Sequence, residues 1–287
     1  MAVLKNTYRP YAGSLTPDWS RFLILPRFAW QNVFSSKLLT AFYCACFVPW
    51  IVGVLLIYLH HNVRALAVLE LPLTDLPPIR GEFYLVLVGI ASSASFVLNA
   101  FIAPGLISAD MANNALPLYL GRPFSRAEYV LGKLTVLAGL FSSITWIPGL
   151  ILFLLQWALG GNAWFAVHRG LAVAIFLGSW IWILVISLIG LALSAWVKWR
   201  LAAGGLILGV FFVAAGFGEA INQIFETRWG SVLNLGEMMT AVWAWLFNIR
   251  DPGIRVSVSS AWGGLIGCCL LALELLHRRI RAYEVIK

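Results

Sequence analysis

Six stretches of this chain stay apolar for about the length of a bilayer crossing, and this constrains its fold more than any motif does. They are residues 38–59, 83–106, 134–155, 171–197, 201–217 and 256–276. Crossing ~30 Å of hydrocarbon takes ~20 apolar residues in a helix. None of the six carries an ionised side chain near its centre. The fifth is the shortest and reads as continuing toward Phe225. Glu274 ends the sixth, four residues before Arg278, a spacing at which the two pair on one helix face. Composition agrees: 61% of the 287 residues are hydrophobic and 11% charged, against roughly 45–50% and about 25% in soluble domains. The expected fold is therefore all-α: a polytopic membrane protein with six transmembrane helices in one domain, 38–276.

Basic residues orient it. With the N-terminus in the cytoplasm, inner segments hold 14 of the 20 Lys and Arg, as the positive-inside rule requires. Both termini and segment 108–133 are then cytoplasmic, at a cell membrane. The net charge of +8 expresses this bias and not a nucleic-acid surface, because no basic patch is interleaved with a soluble recognition module. No cleavable signal peptide is visible. The four Cys (Cys44, Cys46, Cys268, Cys269) lie inside the first and sixth runs and read as small packing residues.

Residues 1–37 form a cytoplasmic N-terminal segment. Within it, 19–34 gathers Ser20, Arg21, Arg27, Gln31 and Asn32 on one side of a helical wheel and Phe22, Leu23, Leu25, Trp30 and Phe34 on the other. That pattern predicts a helix lying in the inner interface. Residues 231–247 are apolar but carry Glu237; they read as a re-entrant or surface helix on the outer side. A seventh crossing there would put the Arg-rich tail, 277–287, outside. Gly205-xxx-Gly209 and Gly263-xxx-Gly267 are spacings that let helices approach closely, within one chain or between copies.

Several enzymatic readings fail. A P-loop needs a Gly five residues before Gly-Lys-Ser/Thr, but Gly132-Lys133 has Ala127 there and Leu134 after it. Gly216-Phe217-Gly218-Glu219 comes near the Gly-x-Gly-Asp of intramembrane aspartyl proteases, yet no span offers the second acid. All four His lie at span ends or in loops, away from any Ser nucleophile. Ion-coupled transport relies on acids or His inside spans. Here the interiors hold only Ser92, Ser93, Ser95, Asn99, Ser142, Ser143 and Thr145, read first as helix–helix hydrogen bonders.

Segment 108–133 is different. The second span continues past Asp110 and is broken by Pro117. Gly121 suits a helix C′ position. Ser125-x-x-Glu128 is a capping box that starts the next helix, expected to run to about Leu155. The result is a short, basic, proline-bounded elbow. It resembles the signature of ATP-binding-cassette (ABC) transporter permeases of the type-2 exporter family. The matching residues are Asp110, the Leu-rich stretch 116–120, Arg122-Pro123-Phe124-Ser125-Arg126, Tyr129 and Gly132-Lys133. The tail Arg278-Arg279-Ile280-Arg281-Ala282-Tyr283-Glu284-Val285 resembles that family's closing basic motif. Gly121 stands where the family more often has Ser or Ala, and Ala282 where Pro is frequent.

The resemblance implies a permease subunit without catalysis of its own or a cofactor, ATP and Mg being bound by a separate ATP-binding subunit. It implies two copies of each subunit and a coupling surface formed by Asp110, Arg122, Pro123, Ser125, Arg126, Glu128, Tyr129 and Lys133. A stand-alone secondary transporter, a membrane scaffold of an envelope or respiratory assembly, and a membrane-embedded enzyme stay open as other readings.

Overall fold

A computed structural model describes residues 24–70, 72–113, 125–249 and 255–280. Among these the chain is helical, with no strand. The helices are α1 (Ile24–Phe34), α2 (Lys37–Ala45), α3 (Val48–His61), α4 (Val63–Val68), α5 (Gly81–Ala112), α6 (Arg126–Ile144), α7 (Trp146–Trp196), α8 (Arg200–Phe225), α9 (Leu235–Leu246) and α10 (Val258–Arg279). Among the described residues, five runs are long and apolar enough to cross a membrane: Lys37–His61, Gly81–Ala112, Arg126–Trp196, Arg200–Phe225 and Val258–Arg279.

The third run has 71 residues and would measure ~105 Å if straight. It is not straight. Gly161 adopts φ 75°, ψ −180°, a conformation essentially reserved for glycine, and the chain doubles back there. Phe165 stacks on Trp157 with ring centroids 4.3 Å apart, Trp164 lies 5.4 Å from Phe153, and Phe176 meets Trp146 at 5.1 Å. The partner numbers rise on one arm as they fall on the other, which is the signature of an antiparallel hairpin.

Prolines inside the long helices are matched by donors or glycines from neighbours. Pro148 has no N–H for the carbonyl of Ile144, four residues back. The Trp50 indole donates to that oxygen instead, at 2.8 Å, and α6 gives way to α7 at Thr145. Pro104 likewise frees the carbonyl of Ala100. That oxygen faces Gly204 of α8, where a Cβ would sit 2.5 Å from it, so only glycine permits the approach.

Some polar side chains of the long helices bond across helices, while Ser93 and Thr145 donate to carbonyls of their own helix. Asn99 Nδ2 donates to the Ile186 carbonyl at 2.9 Å and Ser108 Oγ to the Ser194 carbonyl at 2.8 Å. Trp182 donates to the Ser92 carbonyl at 2.9 Å, and Tyr43 OH bonds Ser143 Oγ. Trp243 of α9 donates to the Gly178 carbonyl at 3.0 Å.

Three expectations change. The helix that starts after Ser125 ends at Ile144, before Pro148, and not near Leu155. The first apolar run is bent, not continuous: α2 ends at Ala45 and α3 begins at Val48, with Pro49 in its first turn. Among the described residues, nothing from the rest of the fold lies within 4 Å of a Cβ built at Gly205, Gly209, Gly263 or Gly267, so these glycines do not pack the fifth and sixth runs against each other. Close glycine packing occurs instead at Gly218 and Gly230, where a Cβ on either would collide with the other's carbonyl. Asn222 fixes that contact, accepting from Gly230 N at 2.8 Å and donating to Ser231 Oγ at 2.9 Å. Glu274 and Arg278 pair as expected, at 2.6 Å.

Of the expected N-terminal helix, residues 24–34 are described. Arg27, Gln31 and Asn32 are exposed while Pro26 and Val33 are buried. The Trp30 indole donates to the Val136 carbonyl at 3.1 Å and fixes α1 against α6. Phe28 is nevertheless 61% exposed, so the amphipathic division is incomplete.

Candidate functional site

The end of α5 and the start of α6 are joined by a buried polar cluster. Tyr129 and Lys133 stand four residues apart on α6 and so share a face. Both turn toward Asp110, one turn from the end of α5. Tyr129 OH donates to Asp110 Oδ2 at 2.8 Å. Lys133 Nζ lies 2.8 Å from the same oxygen and 5.4 Å from the Tyr129 ring centroid. Tyr129 is fully buried, and the side chains of Lys133 and Asp110 are 9% and 17% exposed. An ion pair this buried pays a desolvation cost; the phenol hydrogen bond and the ring beneath the ammonium offset part of it.

The same end of the bundle is fastened elsewhere. The last carbonyls of a helix lack intrahelical donors. At the end of α7, Ser108 Oγ donates to Ser194 O, and Arg279 Nε donates to Ala195 O at 3.3 Å. The Arg279 guanidinium also lies 5.6 Å from the Trp196 ring. Arg200 reaches the Phe101 carbonyl at 3.4 Å, one residue beyond the carbonyl that Pro104 frees. Helices α5, α6, α7, α8 and α10 are thus tied together at their Lys198 end.

Helix α6 begins as its sequence predicts. Ser125 Oγ accepts from Glu128 N at 3.2 Å, and Glu128 Oε2 accepts from Ser125 N at 2.6 Å, a complete capping box. Of the eight expected coupling residues, Asp110, Tyr129 and Lys133 come together in the cluster, and Ser125 and Glu128 form the cap. Arg126 is exposed beside the cap and is not the partner of Asp110, a role that Lys133 takes. Arg122 and Pro123 lie outside the described residues, as do Pro117 and Gly121.

Lys133 is visible in the sequence as part of a motif, but its ion pair with Asp110 is not. The i,i+4 spacing of Tyr129 and Lys133 was the available signal. Among the described residues no group of three His, Cys, Asp or Glu is placed to hold a metal ion. No family model matches the chain, and no curated protein matches it.

Proposed function

We propose that this chain is the membrane-spanning permease subunit of an ATP-driven ABC exporter of the type-2 kind, working as a pair of copies with two ATP-hydrolysing subunits. On this reading it crosses the cytoplasmic membrane six times, because the Arg126–Trp196 run counts as two crossings that meet at Gly161. Helix α9, 12 residues and ~18 Å long, is a re-entrant element. It starts beside Phe96 and Phe211, near the middles of α5 and α8, and its C-cap Phe247 lies against Gly81 at the start of α5.

The observation that carries the proposal is the Asp110–Tyr129–Lys133 clamp. It locks together the two helices that flank residues 114–124, and a capped, rigid helix start follows immediately. A segment joining two helices that are fastened to each other passes displacement to both, as a coupling element between an ATPase and a set of spans must. The resemblance of 108–133 to the exporter signature supplies the identity of the partner. ATP binding closes the ATPase pair, the elbow passes that movement to α5 and α6, and the spans alternate between two packings.

The test uses the Arg122→Glu/Arg126→Glu double variant. Exposed interface charges govern association and its salt dependence. The variant is expected to insert and fold normally, to weaken co-purification of the ATP-hydrolysing partner subunit, and to show altered ATP turnover in any complex that remains. Wild-type association together with wild-type turnover would contradict the coupling role.

A further inference from the structure

Three apolar runs meet the edge of the hydrocarbon at one place. Run 38–59 begins directly after Lys37, run 201–217 begins directly after Arg200, and run 83–106 ends five residues after Phe101. A groove of about 320 Å³ opens there between α2, α5 and α8. Leu39, Phe101 and Leu208 are among its apolar walls, and Gly205 leaves its α8 side open, with nothing from the rest of the fold within 4 Å of a Cβ built there. Its polar lining is Ser36 and Arg200. The Arg200 guanidinium lies against α5: Nη2 is 3.4 Å from the Phe101 carbonyl, and Cζ, Nε and Nη2 are each 3.4 Å from a Cβ built at Gly105. That one long hydrogen bond leaves most of its five N–H donors uncommitted.

The charge beside the groove is of one sign. Lys37 follows Ser36, Lys198 stands two residues before Arg200, and all three cations are exposed. Among the described residues no carboxylate pairs with any of them. Residues 24–69, 83–109 and 198–218, which supply the walls, contain no Asp or Glu. An apolar groove that ends in unmatched cations at headgroup level fits a lipid with an anionic head, and a guanidinium suits the geometry of a phosphate. A second copy seated there by a two-fold axis would bring the same acid-free segments to the contact, setting cations against cations. We propose that the groove holds one anionic phospholipid, with an acyl chain lying along α2 and α8 and the phosphate held by Arg200, Lys37 and Lys198 adding to the field. This binding requires only that the helices sit in a membrane, so it stands apart from the exporter reading.

Native mass spectrometry of the delipidated full chain, titrated in detergent with dioleoylphosphatidylglycerol or dioleoylphosphatidylcholine, measures the site. One phosphatidylglycerol per chain is expected to be retained, about tenfold more tightly than phosphatidylcholine. Arg200→Gln should weaken phosphatidylglycerol roughly fivefold, the effect of one basic residue near a membrane surface, and leave phosphatidylcholine unchanged. Gly205→Phe, which fills the groove from α8 and keeps every cation, should abolish retention of both lipids. Should Arg200→Gln fail to fold, Lys37→Gln/Lys198→Gln carries the charge test, with the same selective loss expected. Equal retention of the two lipids by the wild type, phosphatidylglycerol binding unchanged in the folded charge variant, undiminished binding in folded Gly205→Phe, or a wild-type dimer that retains no phosphatidylglycerol would each overturn the proposal.

Discussion

Replacing Asp110 by Asn keeps an acceptor for Tyr129 but removes the counter-charge 2.8 Å from Lys133. Losing one partner of a buried ion pair costs about 3 kcal/mol, at the low end of the usual range because Asp110 retains some exposure. Lys133→Met should cost a similar amount. The Asp110→Asn/Lys133→Met double variant, with no buried charge left facing the site, should recover much of the loss. The midpoint of unfolding in mixed detergent–SDS micelles measures all three. Additive losses in the double variant would mean that the two groups do not act as a pair. Asp110, Tyr129 and Lys133 were legible in the sequence as members of one motif, because the resemblance names them together. Their contact was not, because it depends on how α5 packs on α6, and the motif's spacing does not encode that. Asn99 shows the converse. Its hydrogen bond across helices follows from its type, yet the room that Gly190 leaves for its amide arises only from how α5 packs on α7.

Among the elements, the α6–α7 junction rests on an exchange of donors. Trp50→Phe leaves the Ile144 carbonyl without the indole at 2.8 Å, and Pro148 cannot replace it. The expected cost is about 1–3 kcal/mol. Adding Pro148→Ala, which restores a backbone N–H, should return part of that loss, measurable by the same unfolding series. Gly161 carries a second prediction. Its φ of 75° with extended ψ is closed to side-chain-bearing residues, so Gly161→Ala should destabilise by about 1–3 kcal/mol, whereas the neighbouring helical Gly160→Ala lacks this backbone penalty. The apolar runs were readable from hydropathy alone, and so was the capped start at Ser125, because both signals are local. The bend between α2 and α3, and the replacement of the Pro148 donor by Trp50, were not. The first lies at Pro49, whose effect within an apolar run hydropathy does not register, and the second joins residues 94 positions apart.

For the whole molecule, the glycines at 205, 209, 263 and 267 face open space, and α8 turns Phe212, Val213 and Phe217 outward as well. Such faces suit lipid or a second copy, in keeping with the proposed pairing of permeases. The proposed exporter requires a bundle with an even number of crossings whose clamped end faces the cytoplasm. Single-cysteine labelling in intact cells with a membrane-impermeant maleimide, on a background with Cys44, Cys46, Cys268 and Cys269 replaced by Ala, tests that arrangement directly. Asn62→Cys, Asn162→Cys and Asn248→Cys should label from outside, while Gly121→Cys and Lys198→Cys should label only after the cells are opened. External labelling of Gly121→Cys, or protection of Asn162→Cys in a folded chain that becomes reactive only in opened cells, would contradict the account.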